Sequence, residues 1–120
     1  MPDIKKIPIS QGVFMEAVVV YITVPNEQEG VKIARALVGE KLAGCINIVK
    51  DIRSIYSWQG RIEDEPELLL IVKSRRQLFN KIKDRVKELH SYTVPEIIAI
   101  PVVEGSEDYL NWLQEATSAD

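Results

Sequence analysis

The fold is decided by a stretch of the chain that reads GCINIVKDIRSIYSWQG over residues 44–60 and RIEDEPELLLIVKS over residues 61–74. Both halves contain many β-branched and aromatic residues, which favour β-strands. Gln59 and Gly60 separate the halves, and glycine can supply the positive φ that a tight hairpin turn needs. The stretch therefore predicts one long β-hairpin.

Residue spacing predicts which parts of the hairpin are buried. On the return half, residues 68–72 are continuously apolar, which is typical of a strand buried on both faces. On the first half, the apolar residues at even positions would share one face of a regular strand. These residues are Ile46, Ile48, Ile52, Tyr56 and Trp58.

The predicted hairpin is longer than the domain that carries it. A strand over residues 45–59 would span about 50 Å at roughly 3.3 Å per residue, whereas a domain of this size has a radius of gyration of about 14 Å. The far end, with Tyr56, Trp58 and Ile62, would therefore extend beyond the core. Such a ribbon is marginally stable alone and exposes unpaired edges. We predict that it is an oligomerisation arm, anchored by Tyr56 and Trp58.

The chain before the hairpin predicts one strand and one helix. The strand covers Val13–Val24, which includes the nearly continuous apolar run 17–22. Asn26 is the expected N-cap of the helix, with acidic residues following it in the first turn. Gly44 is expected to end this helix.

The chain after the hairpin predicts a helix, a strand and a short last helix. Residues 96–103 form the expected strand, in which Pro101 indicates an edge position or a bulge. Ser106 is the expected N-cap of the last helix. The order βαββαβ plus a short helix predicts an α+β, ferredoxin-like split βαβ fold. The other face of its sheet would need a cover, which again favours self-association.

The 120 residues suit a single domain. We expect a flexible extension over residues 1–12, the domain over residues 13–116 and a frayed tail over residues 117–120. Cys45 is the only cysteine, which fits a reducing compartment. The first residues lack the pattern of a signal peptide, and no apolar run approaches the roughly 20 residues of a membrane span. These features predict a soluble cytoplasmic protein.

The formal net charge of −3 also restricts the class of partner. It does not favour nucleic acid or an anionic membrane. RNA-recognition modules share the predicted chain order but carry aromatic residues on their third strand. The third strand here reads LLLIVK over residues 68–73 and has none. We therefore predict neither a nucleic acid nor a membrane partner.

Five segments together resemble the CutA family of divalent-cation tolerance proteins. They read EKLAGCINI (40–48), SIYSWQG (54–60), ELLLIVKS (67–74), HSYTVPEI (90–97), and Gly105 followed by YLNW (109–112). The resemblance extends from about residue 18 to residue 113. It implies a ferredoxin-like subunit, a homotrimer that exchanges strand pairings at the long hairpins, and binding of divalent metal ions, copper in particular.

The chain departs from the family pattern at positions that bear on copper. Ser91 and Thr93 stand where the pattern usually has proline and glutamate after the histidine. Copper-binding members are similar in using a thiol in the first strand and a histidine pair at the end of the second helix. Here Ile22 and Leu89 occupy the thiol position and the first histidine position, which leaves His90 alone.

His90, the only histidine, is the leading candidate for a metal contact. A neutral imidazole binds Cu²⁺ or Zn²⁺ well, and other subunits of a trimer could supply further ligands. The alternative is a structural histidine that caps the helix carbonyls. Cys45 is a weaker candidate, because a free cysteine is usually a packed thiol. The acidic run 63–67 predicts a solvated turn or bulge, or a weak site for hard cations.

The sequence does not predict an enzyme. It contains no Ser-His-acid set, no glycine-rich phosphate loop and no HExxH motif. The leading hypothesis is a non-enzymatic, cytoplasmic homotrimer that binds divalent ions, with no obligatory cofactor. The alternative is a signalling trimer, similar to the PII regulators, that binds a small ligand in clefts between subunits. Lys73, Tyr92 and Glu96 are the candidate lining residues of that cleft.

Overall fold

The computed structural model describes residues 15–118, and the long hairpin is its largest feature. The elements are β1 (Ala17–Val24), α1 (Glu27–Gly39), β2 (Cys45–Trp58), β3 (Arg61–Arg75), a 3-10 turn (Arg76–Leu78), α2 (Phe79–Leu89), β4 (Ile97–Pro101) and α3 (Glu107–Ala116). The strands form one antiparallel sheet in the order β2-β3-β1-β4. This confirms the predicted ferredoxin-like fold, and Pro101 lies on an edge strand as expected.

The core lies between the sheet and the helices α1 and α2. Alternate residues of β1 point into it, namely Val18, Val20, Ile22 and Val24. They pack with Ile33 and Leu37 of α1 and with Ile82 and Val86 of α2. Burial of these side chains stabilises the domain by the hydrophobic effect.

The opposite face of the sheet is also apolar. Val19 and Tyr21 of β1 lie on it, beside their cross-strand neighbours Ile71, Ile98 and Ile100. The helix α3 packs at one end of this face, against Ala17. It leaves Ile98 and Ile100 50% and 43% exposed. We call this surface the open face.

The turn of the hairpin has the predicted conformation. Gln59 and Gly60 have φ of 50° and 79°, the positive values of a two-residue hairpin loop whose twist matches its strands. β1 pairs with residues 68–75 of β3, so residues 52–58 and 61–67 pair with each other alone. We call this part, residues 52–67, the ribbon. It gives the subunit an extent of 50 × 25 × 24 Å, as the length argument predicted.

A β-bulge in β2 interrupts the alternation of its side chains. The prediction that Ile46, Ile48, Ile52, Tyr56 and Trp58 share one face is therefore wrong. Between Val49 and Ile52, β2 advances three residues while β3 advances two, from Leu69 to Glu67. Asp51 takes up the extra residue with φ of 61°. Because side chains alternate along a strand, Tyr56 and Trp58 lie on the same side as the open face. Ile46 and Ile48 instead pack against the core.

Several predicted boundaries also change. Asn26 caps α1 as expected and accepts from the Glu29 amide at 2.8 Å. The helix ends at Gly39, however, and not at Gly44. β1 begins at Ala17, and β4 is shorter than predicted at both ends. The predicted extension over residues 1–12 lies outside the described residues.

The predicted frayed tail is wrong for its first residue. Thr117 is 2% exposed. Its hydroxyl and its carbonyl accept hydrogen bonds from the Arg75 guanidinium, both at 2.9 Å. The end of α3 is therefore fixed to the end of β3, and residues 119–120 lie outside the described residues.

Gly44 has a packing role that explains why it is glycine. A Cβ atom at this position would lie 2.6 Å from Cδ1 of Leu113 and 3.4 Å from the ring of Trp112. We therefore expect Gly44→Ala to lower the free energy of unfolding by about 1–3 kcal/mol, the usual cost of overpacking. Urea denaturation measures this change.

The matched control is Gly39→Ala at the end of α1. Nothing lies within 4 Å of a Cβ atom placed there, and alanine favours a helix over glycine by roughly 0.5–1 kcal/mol. We expect this variant to be neutral or stabilised. Equal destabilisation of both variants would contradict the packing role of Gly44.

Candidate functional site

The segment that links α2 to β4 passes beside the ribbon and leaves a groove of about 920 Å³. The groove is lined by Thr23, Arg53, Ser54, Ile55, Tyr56, Trp58, Glu63, Glu65, Glu67, Ser91, Tyr92, Thr93, Val94 and Glu96. We call it the acidic groove. Its walls come from the ribbon, from Thr23 of β1 and from residues 91–96, which the fold brings together from distant parts of the sequence.

His90 supports one end of this linking segment. Its side chain is fully buried, and Nε2 lies 2.7 Å from the carbonyl oxygen of Thr23. A carbonyl oxygen can only accept, so Nε2 carries the proton. Nδ1 then accepts from the backbone N–H of Tyr92 at 3.0 Å. His90 therefore ties the end of β1 to the start of the linking segment.

This geometry bears on both interpretations of His90. The alternative interpretation is that His90 has a structural role and caps the carbonyls of its own helix. The role is structural, but the carbonyl that its side chain bonds belongs to Thr23 of β1 and not to α2. A metal ion could bind either ring nitrogen only after one of the two hydrogen bonds had broken. The nearest carboxylate oxygen is Oε2 of Glu29, 3.3 Å from Nδ1. It accepts from the backbone N–H of Ser91 at 3.1 Å.

Tyr92 and Glu67 form the most buried polar contact of the acidic groove. Glu67 is 6% exposed, and its Oε2 accepts from the Tyr92 hydroxyl at 2.8 Å. Burial, and then the hydrogen bond to Glu67, raise the pKa of Tyr92 far above its ordinary value. The tyrosine therefore stays protonated and acts as a hydrogen-bond donor.

The acidic groove has an excess of negative charge. Glu63, Glu65 and Glu67 alternate along β3 and so point to one side of the ribbon. Glu96 adds a fourth carboxylate. The guanidinium of Arg53, the one basic side chain in this lining, is paired with Asp64 at 2.8 and 2.6 Å. That pairing lowers the pKa of Asp64. It also neutralises the Arg53 guanidinium, so the four carboxylates of the lining are not balanced by it.

Tyr56 and Trp58, the predicted anchors of assembly, also line this groove. They are 39% and 43% exposed in the single chain. The Tyr56 hydroxyl donates to Oε2 of Glu65 at 3.1 Å. Because of the bulge, both rings share a side of the ribbon with the three β3 carboxylates.

Cys45 and His90 lie apart in the subunit. Cys45 pairs with Lys73, which pairs with Val19, whereas His90 contacts Thr23. Val19 and Thr23 are four residues apart on β1, or about 13 Å. The Cys45 sulfur also lies 3.9 Å from the Lys73 ammonium, a group that repels a metal cation.

The predicted cleft residues are only partly brought together. Tyr92 and Glu96 line the acidic groove, but Lys73 does not. Lys73 lies six residues from Glu67 on the same strand, or roughly 20 Å away, and donates to the Asn47 side chain. Sequence reasoning had assigned the β3 carboxylates to a solvated turn or weak cation site. Their alternation at residues 63, 65 and 67 within a strand was the available signal.

Comparison with known protein families shows which family this chain belongs to. Residues 18–116 match the family model described as "CutA1 divalent ion tolerance protein". The chain belongs to this family. The match confirms the CutA resemblance and extends from Val18 in β1 to the end of α3. It includes every residue of the acidic groove.

Individual CutA relatives are similar over most of this chain. The divalent-cation tolerance protein CutA of Thermus thermophilus is 56% identical over 99 residues, which cover 82% of this chain and 96% of the relative. The chloroplastic CutA of Arabidopsis thaliana is 46% identical over 101 residues, which cover 84% of this chain and 56% of the relative. The chain therefore spans nearly all of the first relative and about half of the second.

Solved CutA1 structures share the fold. The Thermus thermophilus structure superposes with a TM-score of 0.83 at 54% identity and covers 85% of this chain and 99% of its own. The Oryza sativa structure has a TM-score of 0.84 at 43% identity and covers 88% and 96%. Similarity of this degree confirms the predicted α+β architecture.

The CutA1 family name concerns divalent cations, so the arrangement of metal-binding side chains in the subunit is relevant to its function. Within residues 15–118, no three histidine, cysteine, aspartate or glutamate side chains are grouped so that they could hold one ion. A copper site made of His90 and Cys45 from a single subunit does not fit the geometry. In the same part of the chain, no helix has the length and apolar character needed to cross a membrane.

Proposed function

We propose that the chain acts as a homotrimer whose subunits contact through the open face and the ribbon. The observation that carries this proposal is the exposure of apolar side chains on both surfaces, Ile98 and Ile100 on the face and Trp58 on the ribbon. The free edges are different, since one is β4 and the other is the β2 side of the ribbon. A contact between two different surfaces is heterologous, and it builds a ring when the rotation between subunits closes. The proposed number of subunits in the ring, three, is taken from the resemblance to the CutA family.

We propose further that this trimer is a non-enzymatic, cytoplasmic protein that binds divalent metal ions and takes part in divalent-cation tolerance. Membership of the CutA1 family supports the role. The single cysteine supports the compartment. Because the described residues of one subunit do not group three ligands, a complete site would use groups from more than one subunit.

His90 is the proposed metal contact, and its surroundings suggest how it would act. Nδ1 lies near a carboxylate oxygen of Glu29. If the Tyr92 N–H moved away, the imidazole and this carboxylate would both face the vacated position. Imidazole suits Cu²⁺ and Zn²⁺. Two ligands are fewer than the three protein ligands of a typical zinc centre, so a further ligand must come from elsewhere.

A Cu²⁺ titration by calorimetry tests the metal proposal. We expect saturable binding at one ion per chain or per trimer, and loss of that binding in His90→Ala. Glu29→Gln is the second variant, because it removes a ligand charge without removing the His90 hydrogen bonds. We expect it to weaken binding at least about tenfold, or 1.4 kcal/mol. Weak, non-stoichiometric heat in all three proteins would exclude a His90 site.

The acidic groove favours a second candidate function, a signalling trimer that binds a small ligand between subunits. Two of its three candidate lining residues, Tyr92 and Glu96, line the groove, and the third, Lys73, does not. A ligand of this kind would raise the melting temperature by mass action and would be insensitive to chelators. A metal ion would lose its effect when a chelator was added.

A further inference from the structure

The side chains on one side of β3 change in charge along the strand. The odd-numbered residues of β3 point to the side of the open face, and the bulge does not disturb them because it lies in β2. They are acidic at the ribbon end, apolar in the middle and basic at the other end. In chain order they are Glu63, Glu65, Glu67, Leu69, Ile71, Lys73 and Arg75. We call the three glutamates the acidic row.

The two charged ends of β3 do not neutralise each other within one subunit. Glu67 and Lys73 are six residues apart, or roughly 20 Å along the strand. This distance is about twice the Debye length at 0.1 M salt, so the attraction between them is largely screened. The two ends can therefore form close ion pairs only with another molecule. A second copy of the chain carries both charges at the same spacing.

Lys73 has polar partners but no counter-charge in the subunit. Its side chain is half-buried. The ammonium donates to the Asn47 side chain and lies 3.9 Å from the sulfur of Cys45. No ion pair among residues 15–118 includes Lys73. An ammonium has three N–H donors, so Lys73 can donate to a further acceptor without losing Asn47.

The acidic row also has no cation of its own. The neighbouring guanidinium of Arg53 is paired with Asp64, and no ion pair in the described part of the chain includes the row. The hydroxyls of Tyr56 and Tyr92 donate to two of its members. A hydroxyl is neutral, however, and leaves the negative charge uncompensated.

The surface between the two ends is suited to contact with protein. Ile98 and Ile100 on the open face are 50% and 43% exposed, and Trp58 beside the acidic row is 43% exposed. A second copy that lays its ribbon across the open face would bury these side chains and set its acidic row over Lys73. An arrangement that sets two acidic rows against each other would be repelled.

We propose that Lys73 of the partner subunit enters the acidic groove and pairs with the acidic row, so that each groove is completed by its neighbour. This rests on the homotrimer of the proposed function and names the group that one subunit supplies to the next. The pairing would bring Lys73 beside Tyr92 and Glu96, which line the groove. It would also fix the relative orientation of the subunits, because only opposite ends of β3 attract each other.

A charge swap tests the pairing. Glu65 is the middle member of the acidic row, about 7 Å along the strand from each of the others. Lys73→Glu and Glu65→Lys each place like charges together. We expect each to raise the protein concentration at half-assembly at least about tenfold. The double variant E65K/K73E restores opposite charges and should recover most of this loss. Light scattering at a fixed urea concentration measures the assembly.

The control for net charge is Glu65→Lys combined with Lys87→Glu. Lys87 is exposed on α2, so this variant has the charge of the swap without the pair, and it should assemble as weakly as Glu65→Lys alone. Circular dichroism checks that each chain is folded. If Lys73→Glu does not fold, Lys73→Gln and Glu65→Gln replace the reversals. Their losses should then be less than additive, as for residues in contact.

The outcomes separate this pairing from the homotrimer itself. Unchanged assembly in folded Lys73→Glu, or equal weakness of the swap and its control, would overturn the pairing. If the wild type still had the mass of three chains, the homotrimer would stand and its contacts would lie elsewhere. A wild-type mass of one chain would refute the homotrimer and the pairing together.

Discussion

Replacing Trp58 with alanine is expected to lower the stability of the assembled protein by about 3–5 kcal/mol per chain, the range measured for large aromatic truncations in cores. In the single chain the side chain is 43% exposed and lies near the end of the ribbon. A loss of this size therefore requires a second subunit to bury the ring. The measurements are the mass by light scattering and the melting temperature at several protein concentrations.

Val38→Ala is the control for this experiment. Val38 is 42% exposed, nearly the same as Trp58, but it lies on α1 in the helical layer. We expect a change within about 0.5 kcal/mol, as for most surface substitutions, and no change in mass. An unchanged assembly and melting temperature for Trp58→Ala would show that the ring is peripheral and that the ribbon is not an assembly arm.

Replacing His90 with alanine is expected to cost about 2–4 kcal/mol even without metal. The substitution removes the partners of two backbone groups, the Thr23 carbonyl and the Tyr92 N–H. Each unsatisfied group costs about 1–3 kcal/mol where it is buried. Urea denaturation with added chelator measures the loss. The acidic groove should also lose its shape, because Tyr92 would no longer be held.

Two conservative variants separate the hydrogen bonds of His90. Glutamine can place an amide N–H where Nε2 donates to Thr23, and asparagine can place an oxygen where Nδ1 accepts from Tyr92. We expect each to recover part of the loss. A change below about 0.5 kcal/mol for His90→Ala would contradict the structural role, because substitutions of that size are typical of exposed sites.

The sequence predicted most strongly those features that local chemistry controls. Gly60 marked the hairpin turn, Asn26 marked the start of α1, and Pro101 marked an edge strand. The overhang of the ribbon followed from length alone, and the extent of 50 Å agrees with it. These predictions needed no knowledge of contacts between distant residues.

The features that sequence analysis missed depend on pairing between distant segments. Asp51 tolerates a positive φ better than most residues, but nothing local required a bulge there. The partner of the His90 ring is a backbone carbonyl 67 positions earlier, and a carbonyl leaves no residue type to recognise. Lys73 was grouped with Tyr92 because the register of β3 was unknown. In the structure Tyr92 bonds Glu67, which lies six residues along β3 from Lys73.

The bulge at Asp51 also has an evolutionary consequence. The one added residue determines the side of the ribbon on which each side chain lies. It therefore decides which side chains can contact a neighbouring subunit or a ligand. Deleting one residue there would turn Arg53, Ile55 and Ser57 to the open-face side of the ribbon and turn Tyr56 and Trp58 to the opposite side. The folded domain below would keep its own packing. Insertions and deletions at this point could therefore change what the family recognises without changing how it folds.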